Sequence, residues 1–400
     1  MSGGTPQTKA PAVVPAVRSV SILGSTGSIG QSTVDLLAGH KDSFRVEALT
    51  GHKNVTLLAA QAKRLGAAVA VIGDDSLYQD LKSALSGTGI EAAAGADAVI
   101  AAAGRPADWI MAAIVGTAGL KPTLAAIAQG STVALANKES IVAAGQVMLS
   151  AVRAAGTTLL PVDSEHNAVF QVRDPAQQHG IARIILTASG GPFLRRSRAE
   201  LAGITPAEAV RHPNWSMGAK ISIDSATMMN KSLEIIEASY LFNTPDQQID
   251  VLIHPQSVVH SMVEYVDGSI LAQMGAPDMR TPIAHTLGWP ARIETTGQRL
   301  DLSKALAMQF EPIDTARFPA VGLARAAVRA GAGHPVVLNA ANEVAVEAFL
   351  SGRINFDKIE MISDKVLQTA DIGGISTLDD VIALDLAARG LAEKIIQALQ

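Results

Sequence analysis

With 400 residues, 48% of them hydrophobic and a net charge of −5, the chain can bury more than one core, and two or three domains are expected. It has no long Lys/Arg run, and its longest clear apolar run, 109–120, stops at Lys121, so neither nucleic acid nor a membrane is expected as a partner. The absence of cysteine excludes disulfides, thiolate metal sites and thiol nucleophiles, leaving oxygen and imidazole as the available metal donors.

Residues 1–17 are rich in Ala, Pro, Gly and Val, match no targeting pattern, and read as a disordered leader. An apolar strand over 20–23 then turns at Gly24-Ser25-Thr26-Gly27-Ser28-Ile29-Gly30 into a helix over 29–38. Glycines at this spacing let backbone amides and the positive helix end face a pyrophosphate; ordinary loop and cap glycines are the other reading. A second strand over 44–49 ends in Thr50-Gly51-His52-Lys53-Asn54, with no acid to hold a ribose 2′-hydroxyl. Lys53 instead offers charge to a 2′-phosphate, so NADPH is expected over NADH, with a solvated loop lysine as the alternative. A helix over 54–65, a strand over 68–72 and a helix over 75–85 follow. Strand-like runs at 98–101, 110–115 and 133–135 lead to a helix over 140–154, opened by Asn137-Lys138-Glu139-Ser140. This alternation predicts the α/β class: an N-terminal Rossmann-like parallel sheet over 18–160, with ligands beyond its strand ends.

The middle of the chain changes character. A strand over 157–162 ends in Asp163-Ser164-Glu165-His166, and if the backbone stays extended both carboxylates point to one side. A strand over 183–186 runs into Thr187-Ala-Ser189-Gly-Gly-Pro-Phe193, small residues with a hydroxyl that suit a phosphate or polyol. Arg211–Gly218 reads as a lid bearing Trp215, for which a core anchor is the alternative. Ser225 precedes a helix on which Asn230, Lys231 and Glu234 share a face. Asp163, Glu165 and Glu234 would suit a hard divalent ion such as Mg²⁺ or Mn²⁺, unless they are plain caps and surface charges. Ser225, Asn230 and Lys231 make a phosphate cradle, though Asp224 or Ser225 could also cap the helix.

Runs at 257–266 and 269–274, joined by Asp267-Gly268, predict a hairpin whose edge is a candidate self-association surface. A central α+β catalytic domain over 161–290 and a linker over 291–311 then precede a C-terminal four-helix bundle within 312–400. Its helices are expected at 318–330, 335–350, 356–369 and 377–398, with Ser376-x-x-Asp379 as a cap and Gly331 and Gly352 as stops. His166, beside the acids, is expected to support them, and His260 is singled out in the hairpin.

Taken together, the blocks Gly24–Gly30, Ala136–Ser140, Pro161–His166, Thr187–Phe193, His212–Gly218, Ile223–Lys231 and Ala276–Pro282 resemble the 1-deoxy-D-xylulose 5-phosphate reductoisomerase family, in order, from about 19 to 398. The resemblance implies a cytoplasmic, homodimeric oxidoreductase of the non-mevalonate isoprenoid pathway. Such an enzyme uses NADPH and a divalent cation (Mg²⁺, Mn²⁺ or Co²⁺) to rearrange 1-deoxy-D-xylulose 5-phosphate and reduce the product to 2-C-methyl-D-erythritol 4-phosphate. Carried over, it makes Asp163, Glu165 and Glu234 the metal ligands, with Lys138 beside them in the catalytic set. It puts Ser164, Glu165, Ser189, His212, Trp215, Ser225, Asn230, Lys231 and Glu234 on the substrate. It puts Gly24, Ser25, Thr26, Gly27, Ser28, Ile29, Gly30, Gly51, His52, Lys53, Asn54, Asn137, Lys138, Glu139, Gly218 and Met279 on the cofactor. A thioester-forming semialdehyde dehydrogenase would need a cysteine, and a simple reductase would not need three convergent carboxylates.

Overall fold

Short apolar runs alternating with helices fold residues 18–161 into one parallel layer. The computed structural model describes residues 17–213, 215, 218–304, 307–331 and 333–399; most of the expected leader, and Asn214, Ser216 and Met217 of the expected lid, lie outside them. The layer comprises β1 (Arg18–Leu23), α1 (Ser28–Gly39), β2 (Phe44–Gly51), α2 (Val55–Leu65), β3 (Val69–Ile72), α3 (Tyr78–Ala84), β4 (Glu91–Ala94), α4 (Ala96–Ala103), β5 (Trp109–Ala112), α5 (Leu120–Ile127), β6 (Thr132–Leu135), α6 (Lys138–Ala155) and β7 (Thr158–Pro161). Its strand order is β4-β3-β2-β1-β5-β6-β7, with every pairing parallel. The order reverses between β1 and β5, which opens a crevice at their carboxyl ends. The run 98–101 is helical, inside α4, rather than a strand. Four apolar residues carry no period of their own, and the edge strand β4 just before them is too Ala-rich to announce itself.

A second, mixed sheet follows α7 (Ser164–Val172). It begins with β8 (Ile181–Ala188), after which come α8 (Arg198–Leu201), α9 (Pro206–Ala209), α10 (Ala219–Ala226) and α11 (Met229–Leu241). It is completed by β9 (Ile249–Ile253), β10 (Val259–Tyr265), β11 (Ile270–Met274), α12 (Arg280–Gly288) and β12 (Glu311–Pro312), in the order β11-β10-β8-β9-β12. The expected hairpin is β10–β11, paired antiparallel. β9, parallel to β8, was not anticipated, although Ile249-Asp-Val-Leu-Ile253 carries a strand's β-branched composition. The expectation of an extended backbone at Asp163 is overturned: β7 ends at Pro161 and α7 begins at Ser164, so Asp163 and Glu165 meet at a helix N-terminus.

Beyond it lie α13 (Ala320–Ala330), α14 (His334–Leu350), α15 (Lys358–Thr369) and α16 (Leu378–Gln397). α14, α15 and α16 share one core, including Val337, Phe349, Ile362 and Ile396. α13 packs instead on α11, through Ala320, Ala324 and Ala327 against Met229, Leu233 and Ile236. The bundle is thereby fixed to the helix that carries Glu234. The cap of α16 differs by one residue from expectation: Thr377 is the N-cap and closes a capping box with Asp380. Gly331 and Gly352, at φ +74° and +74°, are the expected stops.

Candidate active site

The turn expected to hold the cofactor is shaped by close approach. A Cβ on Gly24 (φ +89°) would lie 2.6 Å from the Ala113 carbonyl oxygen at the end of β5, and one on Gly30 would lie 2.2 Å from the Gly24 oxygen. Gly27 has no such demand, since its nearest neighbour would be 3.4 Å away. Gly27 is the N-cap of α1 and supplies no side chain to its first-turn amides, and no acid sits in that turn. The open amides and the space above Gly27 fit an anionic pyrophosphate. Gly30→Ala is therefore expected to lower both the denaturant midpoint and NADPH affinity, with overpacking costing about 1–3 kcal/mol. Gly27→Ala is expected to keep the parent's midpoint and lose NADPH affinity alone; undiminished binding in a fluorescence titration would refute this placement of the pyrophosphate.

Around the same turn, Ser25 is buried with its amide donating to the Thr50 oxygen (2.7 Å), and Thr26 packs close to Gly51. The Asn54 side chain caps α2 by accepting from the Leu57 amide (3.0 Å). His52 and Lys53 are exposed at the end of β2. Folding brings Asp74 near them, and its carboxyl is held below its usual range chiefly by Ser76, whose hydroxyl and amide it accepts (2.6 and 3.1 Å). That carboxylate stays ionised and faces Lys53 and His52, so it offsets part of the positive charge expected at the β2 end.

A cleft of about 530 Å³ is lined by Ser28 and Ile29 of α1, Ser225 of α10 and Met279. The carboxyl ends of β6, β7 and β8 deliver Lys138, Asp163 with Glu165, and Ser189 to it, and α11 delivers Asn230, Lys231 and Glu234. Oxygens of Asp163, Glu165 and Glu234 lie within 4.8 Å of one another. Lys138 Nζ binds Asp163 and donates to Asn230 Oδ1 (2.9 Å) and Glu234 Oε1 (3.1 Å). Lys231 Nζ donates to Glu165 Oε1 (2.8 Å) and also binds Glu234. Ser164 Oγ donates to Glu165 Oε2 (2.5 Å).

Burial disfavours every charge here, and the neighbours decide which survive. It raises the Asp163 carboxyl to about 6 against the pull of Lys138. At Glu165 burial is outweighed by Lys231, which holds the carboxyl well below its usual range. Burial likewise opposes both ammonium charges, but the surrounding carboxylates raise Lys138 and Lys231 above the usual lysine range. Three acids, Glu234 buried and Asp163 and Glu165 half-buried, faced by two ammoniums form an all-oxygen donor set that fits a hard divalent cation. Behind it, His166 donates through Nε2 to the Glu234 carbonyl (2.9 Å), with Nδ1 3.3 Å from Glu237 Oε2.

His212, which also lines the cleft, is neutral, burial lowering it to about 4. Its Nδ1 accepts from the Trp215 amide (3.0 Å), which leaves Nε2 to donate to Ser189 Oγ (2.9 Å); that oxygen also accepts from the Gly191 amide (3.1 Å). Trp215 is partly buried and its ring lies 6.1 Å from that of His260, at the cleft wall, which favours the lid position over a core anchor. Ser225 closes α10 rather than capping the next helix.

Two expected cofactor residues have their side chains engaged elsewhere. Asn137 caps α6 and donates to the Gly116 oxygen (2.9 Å), and the Glu139 carboxylate faces Lys220 (2.8 Å). Gly218, exposed, is the N-cap of α10. Sequence reasoning missed Asp278 and Gln298, which also line the cleft: Asp278 accepts from the Arg280 amide (3.0 Å) and from the Gln298 amide (3.0 Å), tying the 291–311 segment to the base of Met279. The Ala276–Pro282 block contained the signal for Asp278; nothing in the sequence marked Gln298.

Comparison with known proteins matches three family models: 1-deoxy-D-xylulose 5-phosphate reductoisomerase over residues 20–145, its C-terminal domain over 159–242, and DXP reductoisomerase C-terminal domain over 274–391. The chain is 58% identical over 382 residues to 1-deoxy-D-xylulose 5-phosphate reductoisomerase of Rhodospirillum centenum, covering 96% of this chain and 95% of that one. It is similar in structure to the Zymomonas mobilis enzyme in complex with NADPH (TM-score 0.91, 56% identity, 95% of this chain and 99% of the other). It is also similar to a DOX-P reductoisomerase in complex with NADPH, fosmidomycin and magnesium (TM-score 0.90, 42% identity, 96% and 99%).

Proposed function

Since the chain belongs to the 1-deoxy-D-xylulose 5-phosphate reductoisomerase family, we propose that its cleft is where 1-deoxy-D-xylulose 5-phosphate is rearranged and reduced to 2-C-methyl-D-erythritol 4-phosphate. The protein is an NADP-dependent oxidoreductase that works with NADPH and a divalent cation. The observation that carries the assignment of roles is the meeting of three acids from α7 and α11 with a hydroxyl-rich pocket and an open helix N-terminus in one cleft.

In this reading Asp163, Glu165 and Glu234 hold the cation, which when bound polarises the substrate carbonyl and stabilises negative charge developing on its oxygen. Lys231 keeps Glu165 ionised and placed, and Lys138 stands beside the cation, next to the reacting oxygen. Ser189, His212, Ser225, Asn230 and Lys231 receive the phosphate end, and Ser164 orients a substrate hydroxyl. Trp215 covers the bound sugar and excludes water. The turn from Gly24 to Gly30 holds the cofactor pyrophosphate, and Met279 faces the nicotinamide. The functional units are 18–160 for cofactor, 161–290 for chemistry, and 312–400 as support, joined by 291–311.

We further propose that the enzyme is a cytoplasmic homodimer. The dimer is supported by β11, an edge strand whose Ile270, Leu271 and Met274 are 51%, 48% and 38% exposed; a monomeric mass in sedimentation would overturn it. No helix among the described residues is long and apolar enough to cross a membrane. The function itself is tested by NADPH oxidation with 1-deoxy-D-xylulose 5-phosphate, with and without Mg²⁺ or Mn²⁺. Metal-dependent oxidation yielding the branched polyol phosphate is expected, and none by folded, NADPH-binding protein would defeat the assignment.

A further inference from the structure

One half-buried cation just beyond the lid region has no part in the roles above. Lys220 stands in the first turn of α10, where the positive end of the helix dipole disfavours a cation, so its place there needs another cause. That cause is a pair of desolvated acids from two different elements. Its Nζ is 2.8 Å from Glu139 Oε1 of α6 and 2.8 Å from Asp224 Oδ2 of α10, whose side chains are 7% and 2% exposed. Burial opposes the charge, but Asp224 and Glu139 keep the ammonium protonated. Asp224 uses its other oxygen to accept from Asn342 Nδ2 of α14 (2.9 Å). The ammonium thus joins the cofactor layer to the helix after the lid, and Asp224 joins that helix to the C-terminal bundle.

The sequence neighbours of this node are what give it consequence. Glu139 follows Lys138, Asp224 precedes Ser225, and Lys220 lies two residues beyond Gly218 at the end of the lid. Lys138 and Ser225 both line the cleft. We propose that Lys220 is a positioning residue: a strut that fixes the phosphate-facing helix α10 against the first turn of α6, so that the position of one sets the position of Lys138 on the other. The inference rests on the function proposed above for its kinetic consequence, and on geometry alone for the mechanical one. Since a misplacement of about 1 Å at a catalytic group costs about a hundredfold in rate, loss of the strut is expected to register in kcat.

The test compares the full-length parent with Lys220→Met, Lys220→Arg and Asp224→Asn. Lys220→Met is expected to lower kcat about tenfold to a hundredfold, with NADPH affinity within about twofold of the parent, and Lys220→Arg, which keeps a positive charge that can donate to carboxylates, is expected to recover part of the loss. A folded Lys220→Met with kcat unchanged would overturn the strut, as would an arginine variant no better than the methionine one. Should Lys220→Met fail to fold, Asp224→Asn, which keeps the Lys220–Glu139 pair, is expected to show the same pattern more weakly, and parental kinetics in it would overturn the proposal. Amide hydrogen exchange supplies a readout that needs no substrate. In whichever of these variants folds, exchange is expected to quicken at 138–143 on α6 as well as at 219–226 on α10, whereas a change confined to α10 would show that the two helices are not coupled. An inactive parent would defeat the proposed function while the exchange result still decides the strut.

Discussion

Glu234→Gln is expected to lower metal-dependent turnover by on the order of 10²–10³-fold, a typical cost of losing one stabilising group, while NADPH binds as it does to the parent. Glu234 is fully buried on α11, with Oε1 accepting from Lys138 and Asn230 and Oε2 facing Lys231. Glutamine keeps the volume and removes the charge. It also turns one acceptor oxygen into an NH₂ group, which faces an ammonium whichever way the amide is placed. The donor set then loses one of three anionic oxygens, and Mn²⁺ affinity is expected to fall with turnover. The cofactor turn belongs to α1 and is untouched. Titration with Mn²⁺ and with NADPH separates the two effects; equal loss of both affinities would mean that the carboxylate cluster and the cofactor turn are not separate sites.

Lys138→Met is expected to cost a comparable factor, on the order of 10²–10⁴, with the opposite effect on the metal. Lys138 is held by Asp163, Glu234 and Asn230 at the start of α6. Its ammonium shares carboxylate oxygens with the site proposed for the cation, so methionine removes a competitor as well as a catalytic group. Mn²⁺ is therefore expected to bind at least as tightly while turnover collapses. Weaker Mn²⁺ binding in a folded Lys138→Met would show that the lysine supports the metal site rather than the reacting oxygen. Together the two variants distinguish residues that hold the ion from residues that act beside it, because their turnover falls alike and their metal affinities diverge.

Most of the framework was legible because it rests on local rules. The β1 turn with its three glycines, the absence of an acid after β2, the β10–β11 hairpin around Asp267-Gly268 and the helices stopped by Gly331 and Gly352 each follow from a few adjacent residues. The three acids, the serines, His212 and the Asn230–Lys231 pair were also named from sequence, and folding gathers them along one cleft. Where expectation failed, local pattern was ambiguous. Ala98–Ala101 suits a helix as well as a strand, and an acid pair two residues apart converges on a helix N-terminus as well as on an extended edge.

By itself the sequence determined composition, chemistry and family: which donors exist, that no thiol is among them, and that a dinucleotide turn precedes a carboxylate-and-hydroxyl set. Only the tertiary structure decided how those charges are paired. That Lys138 and Lys231 stand among the three acids and that Glu139 faces Lys220 depend on residues 66 to 96 positions apart. Desolvation makes each such pairing matter, since a buried charge must find a partner wherever the fold brings one, and sequence spacing carries no record of that distance.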